Sequence, residues 1–334
     1  MPDAQLNHTV ATLTDGSEVR IPWWRIDSGH DGETLLVIAA QHGNEVQGCE
    51  VIRRFKELCE SELVAGEVRL VPFANLPAVR HRRSHINLGP EQPYGDHEGH
   101  NMNRGWPGDA DGNDTERVTH ALHEGIVRDC TRALDLHSWS RFTATCTLAR
   151  DEGLSREMAL VSGIRFINWR SLGATGTSVS TIGTLFNDSG RGSITIELAP
   201  QWVIRQKEVA LGLRAATNLA KLAGMIEGEV EQIDGPYVEF GRDSEADAAR
   251  KHPLHAPCSG LFVEAGLETS DHVTEGLCIG HIIRDDNLET VEVISPADGW
   301  LYQFGCYRPD CDVALPPQHP YASEGDALAF VMEE

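Results

Sequence analysis

Apolar residues in the N-terminal part of the chain fall into four short runs, 34-TLLVIAA-40, 67-EVRLVPF-73, 132-RALDL-136 and 193-SITIEL-198. Each is aliphatic, often β-branched and too short for a helix, which predicts strands. Apolar positions recur at helical spacing over 45–60, 114–130, 154–163 and 205–226, which predicts helices, with Asp114 or Thr115 as the N-cap of the second. Strands alternating with helices predict an α/β sheet, and ligands of such sheets gather at the carboxyl ends of the strands.

The pattern changes over 228–250, which is charged and helix-poor. Beyond it two halves echo each other: 256-APCSGLFVEA-265 with 271-DHVTEGLCIGHII-283, and 295-SPADGWLYQF-304 with 321-YASEGDALAFV-331. Each half runs Pro-x-x-Gly-apolar, then Glu-Gly, then an apolar strand, which predicts a small all-β unit with pseudo-twofold character. The expected organisation is an α/β catalytic domain over 1–230, a linker or crossover over 231–252, and a β-domain over 253–334. The repeat resembles the barrel-like fold of biotinyl and lipoyl carrier domains. Those domains modify a lysine, and no lysine follows Lys251, so carrier function is excluded.

Composition narrows the function classes. The 334 residues are 40% hydrophobic and 24% charged, enough for a sizeable core. A formal charge of −23 argues against nucleic acid or an anionic membrane as partner. No apolar run approaches the roughly 20 residues of a membrane span. The start, MPDAQLNHTVATL, lacks a signal-peptide pattern, so the expected location is cytoplasmic. The acid-rich surface, with only four lysines, would suit high salt, although a GC-rich genome skews the ratio similarly. Eight cysteines are scattered without a CxxC pair and are expected to stay reduced.

The chemistry begins at 37-VIAAQHGNEVQG-48, where a strand runs into His42-Gly43-Asn44-Glu45. His42 and Glu45 offer a nitrogen and an oxygen ligand, and Gly43 is expected to let the chain turn tightly between them. A second strand ends at 135-DLHS-138 with His137, and a third at 195-TIELAP-200 with Glu197. Two histidines and a glutamate form the three-ligand set of a catalytic zinc. The bland alternatives have weight singly, because HxxE is common and a strand-end histidine is more often a satisfied structural group. His97-x-x-His100 and His120-x-x-His123 have no carboxylate partner on a strand end. In 101-NMNRGWPGD-109, Asn103 and Arg104 pair an amide with a guanidinium, donors suited to a carboxylate. The arginines of 75-NLPAVRHRRS-84 divide evenly between a solvated loop and a functional cluster.

QHGNEVQG, NLPAV, NMNRGWPG, DLHS and ITIELAP, in that order, resemble the succinylglutamate desuccinylase/aspartoacylase family, a branch of the zinc carboxypeptidase-like hydrolases. The resemblance covers roughly residues 34–200. It implies a carboxypeptidase-like mixed sheet flanked by helices, followed by the β-domain. It implies one Zn2+ per subunit on His42, Glu45 and His137, with Asn103 and Arg104 gripping a substrate carboxylate and Glu197 as general base. The arginine that polarises the scissile carbonyl in the family falls here on Ser84; Arg83 is the favoured substitute, with Arg82 in reserve and Arg80 nearby. The following loop, 85–100, is longer than the family's usual one. Asp135 or a backbone carbonyl is expected behind a ligand histidine. The implied activity is deacylation of a small N-acyl amino acid or related compound. A peptide-cleaving zinc carboxypeptidase and a non-catalytic ligand-binding relative are the alternatives. The expected partner is a small carboxylate-bearing molecule, and homo-oligomerisation through exposed β-edges is left open.

Overall fold

The computed structural model describes residues 2–86, 100–169, 180–242, 244–306 and 319–334. The hairpin β1 (Gln5–Thr12) and β2 (Glu18–Asp27) leads into β3 (Thr34–Ala39), helix α1 (Gln47–Glu62), β4 (Glu67–Val71) and the short α2 (Leu76–His81). Next come α3 (Asp114–Leu122), β5 (Arg132–His137), β6 (Cys146–Ala149), α4 (Gly153–Val161) and β7 (Phe166–Trp169). The first part closes with α5 (Ile182–Asn187), β8 (Gly192–Glu197), α6 (Gln206–Leu222) and β9 (Val238–Phe240). These strands form one nine-stranded mixed sheet, ordered β1-β2-β4-β3-β5-β8-β6-β7-β9. The fold is mixed α/β, as the alternation predicts.

At the centre β3, β5 and β8 run parallel, with Ala39 opposite Leu136 and His137 opposite Glu197. Their carboxyl ends therefore share one edge. β3 reads as an unbroken apolar run because both its faces are covered. Leu35 and Val37 pack into the core beneath α1, α4 and α6, while Leu36 and Ile38 face a second core with Trp106, Val118 and Phe186.

Several elements differ from expectation. Asn113, not Asp114 or Thr115, caps α3: its side chain accepts from Glu116 N–H at 3.0 Å, and Glu116 Oε2 accepts from Asn113 N–H at 2.8 Å. This reciprocal capping box leaves Asp114 to accept from Thr14, whose N–H and hydroxyl both reach Asp114 Oδ1 at 2.7 Å. The last part of the expected 114–130 helix is a π-helical turn, His123–Val127. The arginine-rich 75–84 stretch is helical at its start, with Asn75 accepting from Ala78 N–H and proline in the first turn of α2. The stretch 231–252 carries structure of its own, since β9 pairs parallel with β7 and α7 (Glu245–Ala249) follows.

Beyond α7, eight strands make two four-stranded antiparallel sheets, β10-β17-β15-β12 and β14-β13-β11-β16. They are β10 (Lys251–His255), β11 (Gly260–Glu264), β12 (His272–Val273), β13 (Cys278–Arg284), β14 (Thr290–Ile294), β15 (Gly299–Phe304), β16 (Tyr321–Ala322) and β17 (Ala327–Met332). The pairing follows the sequence echo. β11 pairs with β13 of its own half and β16 of the other, and β15 pairs with β17 of its own half and β12 of the other. Gly260 and Gly299 occupy matching places, where a Cβ would lie 2.1 Å from the Ile283 carbonyl oxygen and 2.5 Å from that of Met332. This β-unit is hydrogen-bonded onto the segment after His137, through Ala144 N–H to Tyr302 O (2.7 Å) and Phe304 N–H to Phe142 O (2.8 Å).

Candidate active site

The chain leaves β3 through Ala40, which takes the left-handed conformation at φ 55°. That conformation costs a non-glycine residue of order 1 kcal/mol. It is held by Ala74 N–H to Ala39 O (3.0 Å) and Asn75 N–H to Ala40 O (2.9 Å). The chain turns tightly between the two residues, as expected, with Glu45 N–H donating to His42 O at 3.1 Å, and Gly43 has a second role. A Cβ there would lie 2.3 Å from Ala78 C and 2.4 Å from the Arg83 oxygen, so glycine lets the end of α2 close on the loop. Ser84 O accepts from Gly43 N–H at 3.1 Å and locks the two segments together.

The site comes together at this edge. His42 Nδ1 lies 2.9 Å from Glu45 Oε1, and His137 Nδ1 lies 2.9 Å from Glu45 Oε2. One ligand atom from each of His42, Glu45 and His137 falls within 4.8 Å of the others. The far nitrogens are engaged, His42 Nε2 with Asn101 Oδ1 and His137 Nε2 with Asp135 Oδ2, each at 3.0 Å. Outer partners of this kind orient metal-binding imidazoles, and an N, N, O donor set with both Nδ1 atoms converging on one carboxylate fits zinc. Glu45 Oε2 also accepts from Ser138 N–H at 2.9 Å, and the Gln201 amide reaches Oε1 at 3.4 Å.

Electrostatics matches this geometry. Burial works against ionising Glu45, but the His42 charge and hydrogen bonds from His137 and His42 hold its carboxyl well below the ordinary range. Burial likewise opposes protonation of His42 and His137, and is outweighed at His42 by Glu45 and at His137 by Asp135 and Glu45. Glu197, half-buried beside His137 in register, is pushed up to about 7, mainly by burial, with His137 opposing and Glu45 adding.

The other expected residues lie around this centre. Asn103 sits on a short 3-10 turn, Met102–Arg104, with its N–H donating to Asn101 Oδ1 at 3.0 Å and its own buried Oδ1 without a partner. Arg104 is exposed. Arg83 is half-buried with its backbone against Gly43, whereas Arg80 and Arg82 are exposed. His97 and most of the 85–100 loop lie outside the described residues. Sequence reasoning missed Asn101, Gln41, Gln201 and His85. The buried His85 ring stands edge-on to His42 with centroids 5.1 Å apart. The available signal for Asn101 and Gln41 was adjacency, since each stands one or two residues from a residue already singled out.

Residues 31–223 match the model of the succinylglutamate desuccinylase/aspartoacylase catalytic domain. The chain belongs to this family. Among relatives of this desuccinylase/aspartoacylase member, an N-alpha-acetyl-L-2,4-diaminobutyric acid deacetylase of Halomonas elongata is 26% identical over 295 residues, covering 85% of this chain and 80% of that protein. A crystal structure of a succinylglutamate desuccinylase/aspartoacylase from Rhodobacter sphaeroides superposes with a TM-score of 0.66 at 23% identity, covering 100% of this chain and 96% of that one. The product-bound ectoine utilization protein EutE of Ruegeria pomeroyi gives 0.68 at 19% identity, covering 100% and 98%. Both structures share the mixed α/β fold along the whole length.

Proposed function

We propose that this protein is a zinc-dependent amidohydrolase that removes the acyl group from a small N-acyl amino acid or related compound. The observation that carries the reading is the convergence of His42, Glu45 and His137 on one point, with Glu197 beside it in register. A zinc ion held by those three residues, one per subunit, would supply Lewis acidity and a strong nucleophile from water near neutral pH.

Glu197 is the proton carrier. A carboxylate beside the metal position can take a proton from the attacking water and return it to the departing amine. Asn103 and Arg104 hold the substrate carboxylate, fixing the amide against the base. Arg83, whose backbone lies against Gly43, is the residue we assign to polarising the scissile carbonyl. The Halomonas relative, by its name, deacetylates an N-acetylated diamino acid, so that compound heads the substrates to test.

The central sheet and strand-edge site fit a carboxypeptidase-like architecture, and the same centre would serve a peptide-cleaving enzyme. The deacylase reading is supported by the attachment of the β-unit to residues 142–144, a few residues past His137, since a unit held there would narrow the space for long peptides. Cys49, Cys59, Cys130, Cys258 and Cys278 are free thiols, which suits a reducing cytoplasm. Among the described residues no helix is long and apolar enough to cross a membrane.

The test is metal analysis of the purified protein coupled to a panel of N-acetyl and N-succinyl amino acids beside short peptides. Stoichiometric zinc with turnover confined to acyl amino acids is expected. A protein purified without metal, or one preferring peptides, would overturn the assignment.

A further inference from the structure

The stretch 101–106 reaches His42 directly through Asn101 and His137 indirectly, through Trp106 and Gln41. At one end Asn101 Oδ1 accepts from Asn103 N–H at 3.0 Å and lies 3.0 Å from His42 Nε2. At the other end the Trp106 indole N–H donates to Gln41 Oε1 at 2.8 Å. Gln41 Nε2 donates to both Asp135 oxygens, each at 2.8 Å, and Asp135 Oδ2 lies 3.0 Å from His137 Nε2.

The direction of this chain is forced. An indole N–H can only donate, so the atom facing it must be the Gln41 carbonyl oxygen. That settles the orientation of an amide whose oxygen and nitrogen are otherwise interchangeable. The amide nitrogen then faces Asp135, which must accept. Asp135 accepts equally from His137, which puts a proton on Nε2, 3.3 Å from the Gln41 amide nitrogen, and leaves Nδ1, now facing Glu45, as the atom that would ligate a metal. Trp106, Gln41, Asp135 and His137 are each at most 2% exposed, so water cannot stand in for a missing partner.

We propose that Trp106 and Gln41 are positioning residues that fix the tautomer and aim of His137. We further propose that the stretch 101–106, which also carries Asn103 and Arg104, makes metal affinity and substrate-carboxylate binding depend on each other. This rests on the metal and clamp assignments above. Linkage makes the dependence reciprocal: whatever factor the carboxylate contributes to metal affinity, the metal returns to the carboxylate.

The test titrates the metal-stripped full chain with zinc against a competing chelator. Gln41→Leu and Trp106→Phe should each weaken zinc about 10- to 100-fold, the range for outer-partner loss. The double variant should be no weaker than Gln41→Leu alone, because both act through one contact to Asp135. Asn101→Ala should weaken zinc through His42, and Asn101→Asp, which keeps the acceptor, should restore it. If the Gln41 variant folds poorly, Trp106→Phe judges the His137 role by itself, and the Asn101 pair judges the His42 contact. In a Glu197→Gln background, N-acetyl-L-2,4-diaminobutyrate should tighten zinc binding, and Trp106→Phe should reduce that tightening. Zinc affinities within twofold of the parent in folded variants would overturn the positioning role, as would additive losses in the double variant. Zinc binding indifferent to a compound that the unmodified enzyme turns over would overturn the coupling. If the enzyme turns over no acyl amino acid, the substrate reading fails, and the zinc titrations still judge the positioning role.

Discussion

Replacing Glu197 with glutamine separates activity from stability. The carboxyl sits beside His137 in register, outside the three-ligand cluster, so Glu197→Gln should retain zinc. Loss of a general base lowers kcat by about 10²–10⁴. The structure adds a second effect with the opposite sign. Burial raises this carboxyl from an ordinary 4.5 to about 7 in the metal-free protein. A raised folded value means its favourable contribution is full below 4.5 and lost as pH rises through about 7. Above that, holding the charge in place costs about 3 kcal/mol, at 1.36 kcal/mol per pH unit. Metal-free Glu197→Gln should therefore be more stable than the parent at pH 8, by at most about 3 kcal/mol, with the advantage fading towards pH 4.5.

Urea unfolding of the metal-stripped pair at both pH values measures the stability effect, and kcat on the best acyl amino acid measures the other. The acid limb of the parent's rate profile should lie below about 7, because a bound divalent cation favours the ionised carboxylate. Residual activity within tenfold of the parent would refute the base assignment. A variant less stable than the parent at pH 8 would refute the burial argument.

Gly43→Ala forces a Cβ to within 2.5 Å of the backbone of Ala78 and Arg83, so it should destabilise the protein by about 1–3 kcal/mol and weaken zinc binding, as read by unfolding and chelator competition. Zinc uptake should release protons and tighten as pH rises, because Glu45 raises the proton affinity of His42, and Asp135 and Glu45 that of His137, in the metal-free protein; calorimetry in buffers of different ionisation enthalpy reads the protons. The same raised imidazole values mean the metal-free protein loses stability as pH climbs above 6.5, whereas the zinc form should not. With a net charge of −23, moving from 0.05 to about 0.5 M KCl should raise the melting temperature by screening self-repulsion; a flat or falling response would contradict this.

What was legible in the sequence is what local pattern and strand geometry determine. Continuous apolar runs mark β3, β5 and β8 because both sheet faces are covered, and parallel pairing brings their last residues to one edge. That brings His42, Glu45 and His137 to one place, while their reading as metal ligands drew also on the family resemblance. The hairpin β1–β2 and the short β6, β7 and β9 carry weaker periodicity, and their places depend on long-range pairing. The outer partners were harder still. Asn101 and Gln41 stand in readable motifs, but only folding shows that one amide faces His42 and that the other bridges Trp106 to Asp135. Gly43 shows the same limit: the turn from His42 to Glu45 was legible, but the approach of residues 78–83, which leaves no room for a Cβ, was not. The arginine question has this form as well. Position 84 is a buried serine, Arg83 is half-buried beside the loop, and it is His85 whose ring meets His42. Which of these side chains faces the ligand loop is set by how the end of α2 packs on Gly43, a contact that spacing along the chain does not encode.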